Sequence, residues 1–177
     1  MSALGFRAKT GRAIVVAIGD DLSFLLRREV SLVDPALPDT AQPYHASMSL
    51  PWHESEIAVR PLVAAIENVA TRVLAELIAQ LGGVRAVGVV GAPAKNLARL
   101  GNEHIRAHAA EGVLFRRVIE VAAERNGVVC RGFAETELGA PNAKIKALGE
   151  KAGPPWRADE RAAATAAWLA LQSSSRR

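Results

Sequence analysis

The chain has 177 residues, 50% of them apolar, a formal charge of +4 and a single cysteine, Cys130. That length fits one domain with a real core, and a lone cysteine excludes an internal disulfide or a cysteine-based metal cluster. The positive charge is spread in pairs, Arg27-Arg28, Arg116-Arg117 and Arg176-Arg177, which excludes the dense basic arm of many DNA-binding proteins and leaves a weak bias towards anionic partners.

Residues 1–11 are basic and, with residues 173–177, are expected to be flexible tails of a single domain spanning 1–177. The apolar run 13–18 is too short for a signal-peptide core, no apolar run is long enough for a bilayer, and the cysteine usage points to a reducing, cytoplasmic setting. Residues 12–19 are almost wholly apolar and β-branched, the pattern of a central strand covered on both faces, and end at the turn signal Gly19-Asp20-Asp21. Residues 24–33 mix Leu25, Leu26 and Val30 with Arg27, Arg28 and Glu29, which suits a less buried strand closed by Asp34-Pro35. After a loop at 35–43, residues 44–50 alternate: Tyr44, Ala46, Met48 and Leu50 against His45, Ser47 and Ser49. That spacing predicts a third, edge-like strand.

Val59, Leu62, Val63, Ile66, Val69, Val73, Leu74, Leu77, Ile78 and Leu81 follow the i, i+3, i+4 rule, so 59–81 is a helix. It is regular from near Pro61, is preceded by a lead-in turn or short helix at 54–60, and is stopped by Gly82-Gly83. A second buried strand is expected at 84–90 and a helix at 104–125. A third apolar strand opens at 128–130. A loop at 139–142 leads to a short basic helix at 143–151. Gly153-Pro154-Pro155 breaks the chain before a last helix at 158–171, so rich in alanine that something must pack closely against it. Successive strands favour antiparallel pairing and the later alternation favours parallel additions. The expected fold is α/β: a mixed five-stranded sheet, three antiparallel strands and two parallel additions, flanked by helices.

This order is that of the ribonuclease H-like fold. Several local features agree: Val87-Gly88-Val89-Val90 and a loop with Lys95-Asn96; Glu111-Gly112-Val113 in the following helix; Gly139-Ala140 and then Lys144; and a helix opening at Asp159 and running Ala-rich from Ala162 to Trp168. In these features the chain resembles bacterial Holliday-junction resolvases of the RuvC type. The resemblance implies phosphodiester cleavage with two divalent ions, Mg²⁺ if the chain is active, and a homodimer. It places carboxylates at the ends of the first and fourth strands and at the start of the last helix. Two hard cations need several oxygen ligands, one activating water and the other steadying the leaving oxygen.

The first-strand pattern, small–apolar–Asp, falls on Gly19, with Asp20 one residue later; a bulge at Gly19 would bring Asp20 round. Gly91 stands in the fourth-strand position. Asp159 falls on a family acid, Glu160 adjoins it, and Ala162 occupies the place of a second acid. Asp20, Asp159 and Glu160 are therefore the catalytic and metal-holding candidates if the chain is active. Read as plain structure, Gly19-Asp20-Asp21 is a turn, and Asp159 and Glu160 cap a helix and complement its dipole. Lys95, Arg99, Lys144 and Lys146 could line one edge of the sheet and meet nucleic-acid phosphates, or be ordinary surface charge. His104 and His108 have the i, i+4 spacing of a metal pair, but no acid lies between them, and a solvated face is the plainer reading. His53 and Glu54 lie near Trp52 in an expected loop with no evident partner, and Cys130 reads as a small core residue.

Three functions stay open. One is nucleic-acid-related binding or interaction on a degraded metal site, with no cofactor required. Another is an Mg²⁺-dependent endonuclease, and the last a structural homodimer packed through residues 59–81.

Overall fold

The computed structural model describes residues 1–140 and 143–174. Five strands form one mixed sheet in the order β3-β2-β1-β4-β5. They are β1 (Ser2–Lys9), β2 (Arg12–Gly19), β3 (Phe24–Ser31), β4 (Val84–Val90) and β5 (Val129–Phe133). β1, β2 and β3 pair antiparallel, and β4 and β5 run parallel to β1. The expected mixed sheet is present, but its first strand is not the expected one.

Residues 1–11 are not a tail: Ser2–Lys9 is the central strand, between β2 and β4. Leu4, Phe6 and Ala8 point into the larger core, while Ala3 lies in the smaller core on the opposite face. Residues 44–50 are not a strand. They hold a short helix, α1 (Pro43–Ala46), and the turn after it. Pro43 sits in the first turn of α1, where its missing N–H costs nothing, and the Ser47 hydroxyl reaches back to the Pro43 carbonyl and to Ser55. A second short helix, α2 (Trp52–Ala58), leads into α3 (Arg60–Leu81), which carries Pro61 in its first turn and stops at Gly82 in the left-handed conformation. The last helices are α4 (Glu103–Arg125), α5 (Ala143–Ala152) and α6 (Ala158–Ser174). The anticipated loop at 139–142 and tail at 173–177 fall partly on residues 141–142 and 175–177, outside the described residues.

One face of the sheet is covered by α3 and α4. Phe6, Val15, Val87 and Val89 meet Ile66, Leu74, Leu77, Leu114, Phe115 and Val118 there. On the other face α6 lies very close to the strands. A Cβ at Gly5 would collide with the Ala163 carbonyl, and one at Gly88 with the Ala166 carbonyl. The alanine richness of α6 is thus explained: Ala163, Ala164, Ala166 and Ala167 are buried with no room for more. Behind α6, the Arg27 guanidinium donates to the carbonyls of Gly153, Pro154 and Pro155, fixing the break that delivers the chain to α6.

Gly5→Ala should destabilise the protein by about 1–3 kcal/mol through overpacking against α6. Gly101→Ala, which meets open space, should change stability by less than about 0.5 kcal/mol. Urea unfolding of both variants checks this.

Candidate functional site

The C-terminal ends of β1 and β4 and the first turn of α6 meet at one end of the sheet. Arg7 of β1 pairs in register with Val90 of β4, two strands whose ends the resemblance reserves for acids. With β1 now identified, the small–apolar–Asp pattern reads Gly5-Phe6-Arg7. The Arg7 side chain is 16% exposed; its Nε lies 3.5 Å from Asp159 and its NH2 nitrogen 2.8 Å from Glu135. Lys9, two residues on and on the same face, places its Nζ 3.0 Å from the other Asp159 oxygen. Asp159 is therefore ion-paired with both cations, although the Arg7 Nε makes no hydrogen bond and the guanidinium donates to Glu135 instead.

Glu160 is buried beside it, and its carboxylate accepts the backbone N–H of Arg157 at 2.8 Å. It caps the start of α6, leaving an orphan donor satisfied. Gly91 ends β4 facing α4, where a Cβ would lie 2.9 Å from the Arg116 Cβ. Arg116 in turn holds Glu120 at 3.0 Å and donates to the Gly91 carbonyl at 3.4 Å.

Asp20 lies elsewhere. Gly19 pairs with Ser2 at the start of β1, whereas Arg12 pairs with Lys9 at its far end. A strand of that length separates Asp20 from Asp159 by on the order of 20 Å. Gly19-Asp20-Asp21 forms the β2–β3 turn: the Gly19 N–H bonds the Ser23 carbonyl at 2.9 Å. The Ser23 hydroxyl and N–H both donate to Asp21, holding its carboxyl below the usual carboxylate range. The residues present do not make a nest for two Mg²⁺ ions, because Asp159 and Glu135 are ion-paired with Arg7 and Lys9 and Glu160 caps α6, whereas the ions need several free oxygens.

The basic candidates divide in the same way. Lys95 and Arg99 are exposed after β4, at the Arg7 end of the sheet. Lys144 and Lys146 are exposed on α5, and Lys144 lines an open groove of about 400 Å³ with Asp20, Arg85 and Trp168 at the other end. They do not form one patch. Arg7 and Lys9 escaped sequence reasoning because they were assigned to a tail. The alternation of Leu4, Phe6 and Ala8 with Gly5, Arg7 and Lys9 was the signal that could have found them. On α4, His104 and His108 do come together, and His45 of α1 joins them.

The architecture is that of the ribonuclease H-like fold in its RuvC form. The Thermus thermophilus RuvC structure in complex with a Holliday junction substrate matches at 13% identity and a TM-score of 0.54, over 99% of this chain and 94% of that chain. Thermus thermophilus RuvC also matches at 13% identity and a TM-score of 0.48, over 99% and 95% of the two chains. At that identity the likeness is one of fold. No protein-family model and no curated protein matches the chain.

Cys130 lies in β5 and is half-buried. Burial first, and the charge of Glu120 second, push its thiol from 9.0 up to about 12. The folded protein should resist iodoacetamide at pH 8 and react once unfolded, since only the thiolate attacks. The folded state keeps this proton to a higher pH than the unfolded chain. The associated stability is therefore whole below 9.0 and lost as pH rises towards about 12. Urea midpoints of wild type and Cys130→Ala should converge over that window.

Proposed function

We propose that this chain is a ribonuclease H-like nucleic-acid-binding protein that does not cut phosphodiesters. In this reading its metal-acid end has become cationic. The observation that carries it is the Arg7–Asp159–Lys9 cluster. A divalent ion brought beside Asp159 would face two fixed positive charges, a repulsion on the order of several kcal/mol at short range, and would find no second carboxylate free to offset it. Lys95 and Arg99, exposed after β4, suit phosphate, and the pI of about 9.7 favours an anionic partner. That the Thermus thermophilus RuvC structure holds a Holliday junction supports nucleic acid as the partner class.

An Mg²⁺-dependent endonuclease built on Asp20, Asp159 and Glu160 is disfavoured, because Asp20 lies at the opposite end of the sheet and Glu160 is engaged in capping. A homodimer through α3 is disfavoured too, since Ile66, Leu74 and Leu77 are spent on the chain's own core.

Branched and single-stranded DNA should remain intact with Mg²⁺ or Mn²⁺, yet be bound with an affinity that falls as salt rises. Replacing Lys95 and Arg99 by Ala should lower the salt slope by about 1 for each phosphate that loses its cation. Cleavage that disappears in Asp159→Ala would overturn the proposal, as would the absence of any salt-dependent binding.

A further inference from the structure

We infer that His45, His104 and His108 form a binding site for a first-row transition-metal ion of the Zn²⁺ type, with Glu111 as the outer carboxylate that orients it. The site lies between α1 and α4, and it is distinct from the Asp159 cluster.

The geometry begins with α4. His104, His108 and Glu111 stand at i, i+4 and i+7, so they form one stripe along the helix. The stripe faces α1, which supplies His45. Glu111 is fully buried, and its Oε1 accepts both the His45 backbone N–H at 3.2 Å and the His45 ring Nδ1–H at 2.9 Å. A carboxylate on Nδ1 puts the ring proton there and leaves Nε2 as a lone-pair donor. This is the arrangement that raises the basicity of metal-ligating histidines and fixes their orientation.

That Nε2 has no hydrogen-bond partner although it is buried, and Glu111 Oε2 is buried and unpartnered as well. Buried polar atoms are normally satisfied, so two orphans on one His–Glu pair call for a missing partner. Arg106 does not supply it: its guanidinium donates to the Leu100 carbonyl at 2.8 Å and lies over Trp52.

The other two imidazoles complete the site. His104 Nε2 and His108 Nε2 are 3.1 Å apart, and ligand atoms of all three histidines lie within 4.8 Å of one another. Tetrahedral Zn²⁺ with three imidazole ligands, each bond about 2.0–2.1 Å, sets the nitrogens about 3.3 Å apart. His104 and His108 already meet that spacing, and small turns of exposed rings bring them to His45. The ligand set is three neutral imidazoles with a buried negative charge behind one of them, which offsets part of the ion's charge. The fourth position opens to solvent beside the exposed His104 and His108 and takes water or a small anion. The ion would also fasten the segment carrying α1 onto α4.

The test titrates Zn²⁺ into chelator-treated full-length protein against a chromogenic chelator, and follows Co²⁺ by its visible absorption. Wild type should take up one ion per chain and give the intense bands of tetrahedral Co²⁺. His104→Ala and His108→Ala, both at exposed positions and checked for folding by circular dichroism, should each abolish stoichiometric uptake. Glu111→Gln should weaken it by about 10–100-fold, and His53→Ala should leave it unchanged. Zn²⁺ should raise the thermal transition of wild type and not that of His108→Ala. A wild-type protein that takes up no ion, or uptake unaltered in both His104→Ala and His108→Ala, overturns the inference.

Discussion

Helix α6 rests on the sheet with almost no side chain between them, and this close packing decides where its first turn falls. Gly5 and Gly88 remove the Cβ atoms that would hold the helix away, and Ala163, Ala166 and Ala167 complete the fit. The closeness pins the start of α6 beside the end of β1, and Arg27 holds the preceding turn from the far edge of the sheet. Asp159 then has no choice of neighbours. The face of β1 that carries Gly5 carries Arg7 and Lys9 next, and both reach it. The packing that would set an acidic cluster in place here sets an acid among cations.

The electrostatic consequence is a change in what this end of the sheet attracts. Carboxylates gathered without countercharge repel one another and hold metal. Asp159 and Glu135 balance Arg7 and Lys9, Arg12 is paired with Glu29, and Lys95 and Arg99 stand exposed after β4. Glu111 is the contrasting case. It is a buried acid whose only described partners are the N–H and ring of His45, and no lysine or arginine is paired with it among the described residues.

Much of this was legible from the residues. The long periods of 59–81 and 104–125 gave α3 and α4 within a residue or two, Gly82 marked a real stop, and the alanines of α6 announced close packing. The first strand was not legible because Arg7 and Lys9 make Ser2–Lys9 look like a basic terminus, although Leu4, Phe6 and Ala8 alternate with them. The alternation at 44–50 is too short to separate strand from helix, and Pro43 together with the Ser47–Ser55 hydrogen bond decides for helix. These two errors cancelled in the strand count but not in the site. Taking β2 for the first strand moved the search for an acid to Asp20, at the wrong end of the sheet. The histidine cluster needed three dimensions, since nothing in the sequence links His45 to a helix about sixty residues later.

The account rests most on the claim that Asp159 is committed to Arg7 and Lys9 and holds no divalent ion. An Mn²⁺ titration followed by electron paramagnetic resonance, run on wild type and on Asp159→Asn, tests it directly. The account predicts superimposable titrations, with any Mn²⁺ bound elsewhere bound equally in both. A population of bound Mn²⁺ in the wild type that vanishes in Asp159→Asn would contradict it.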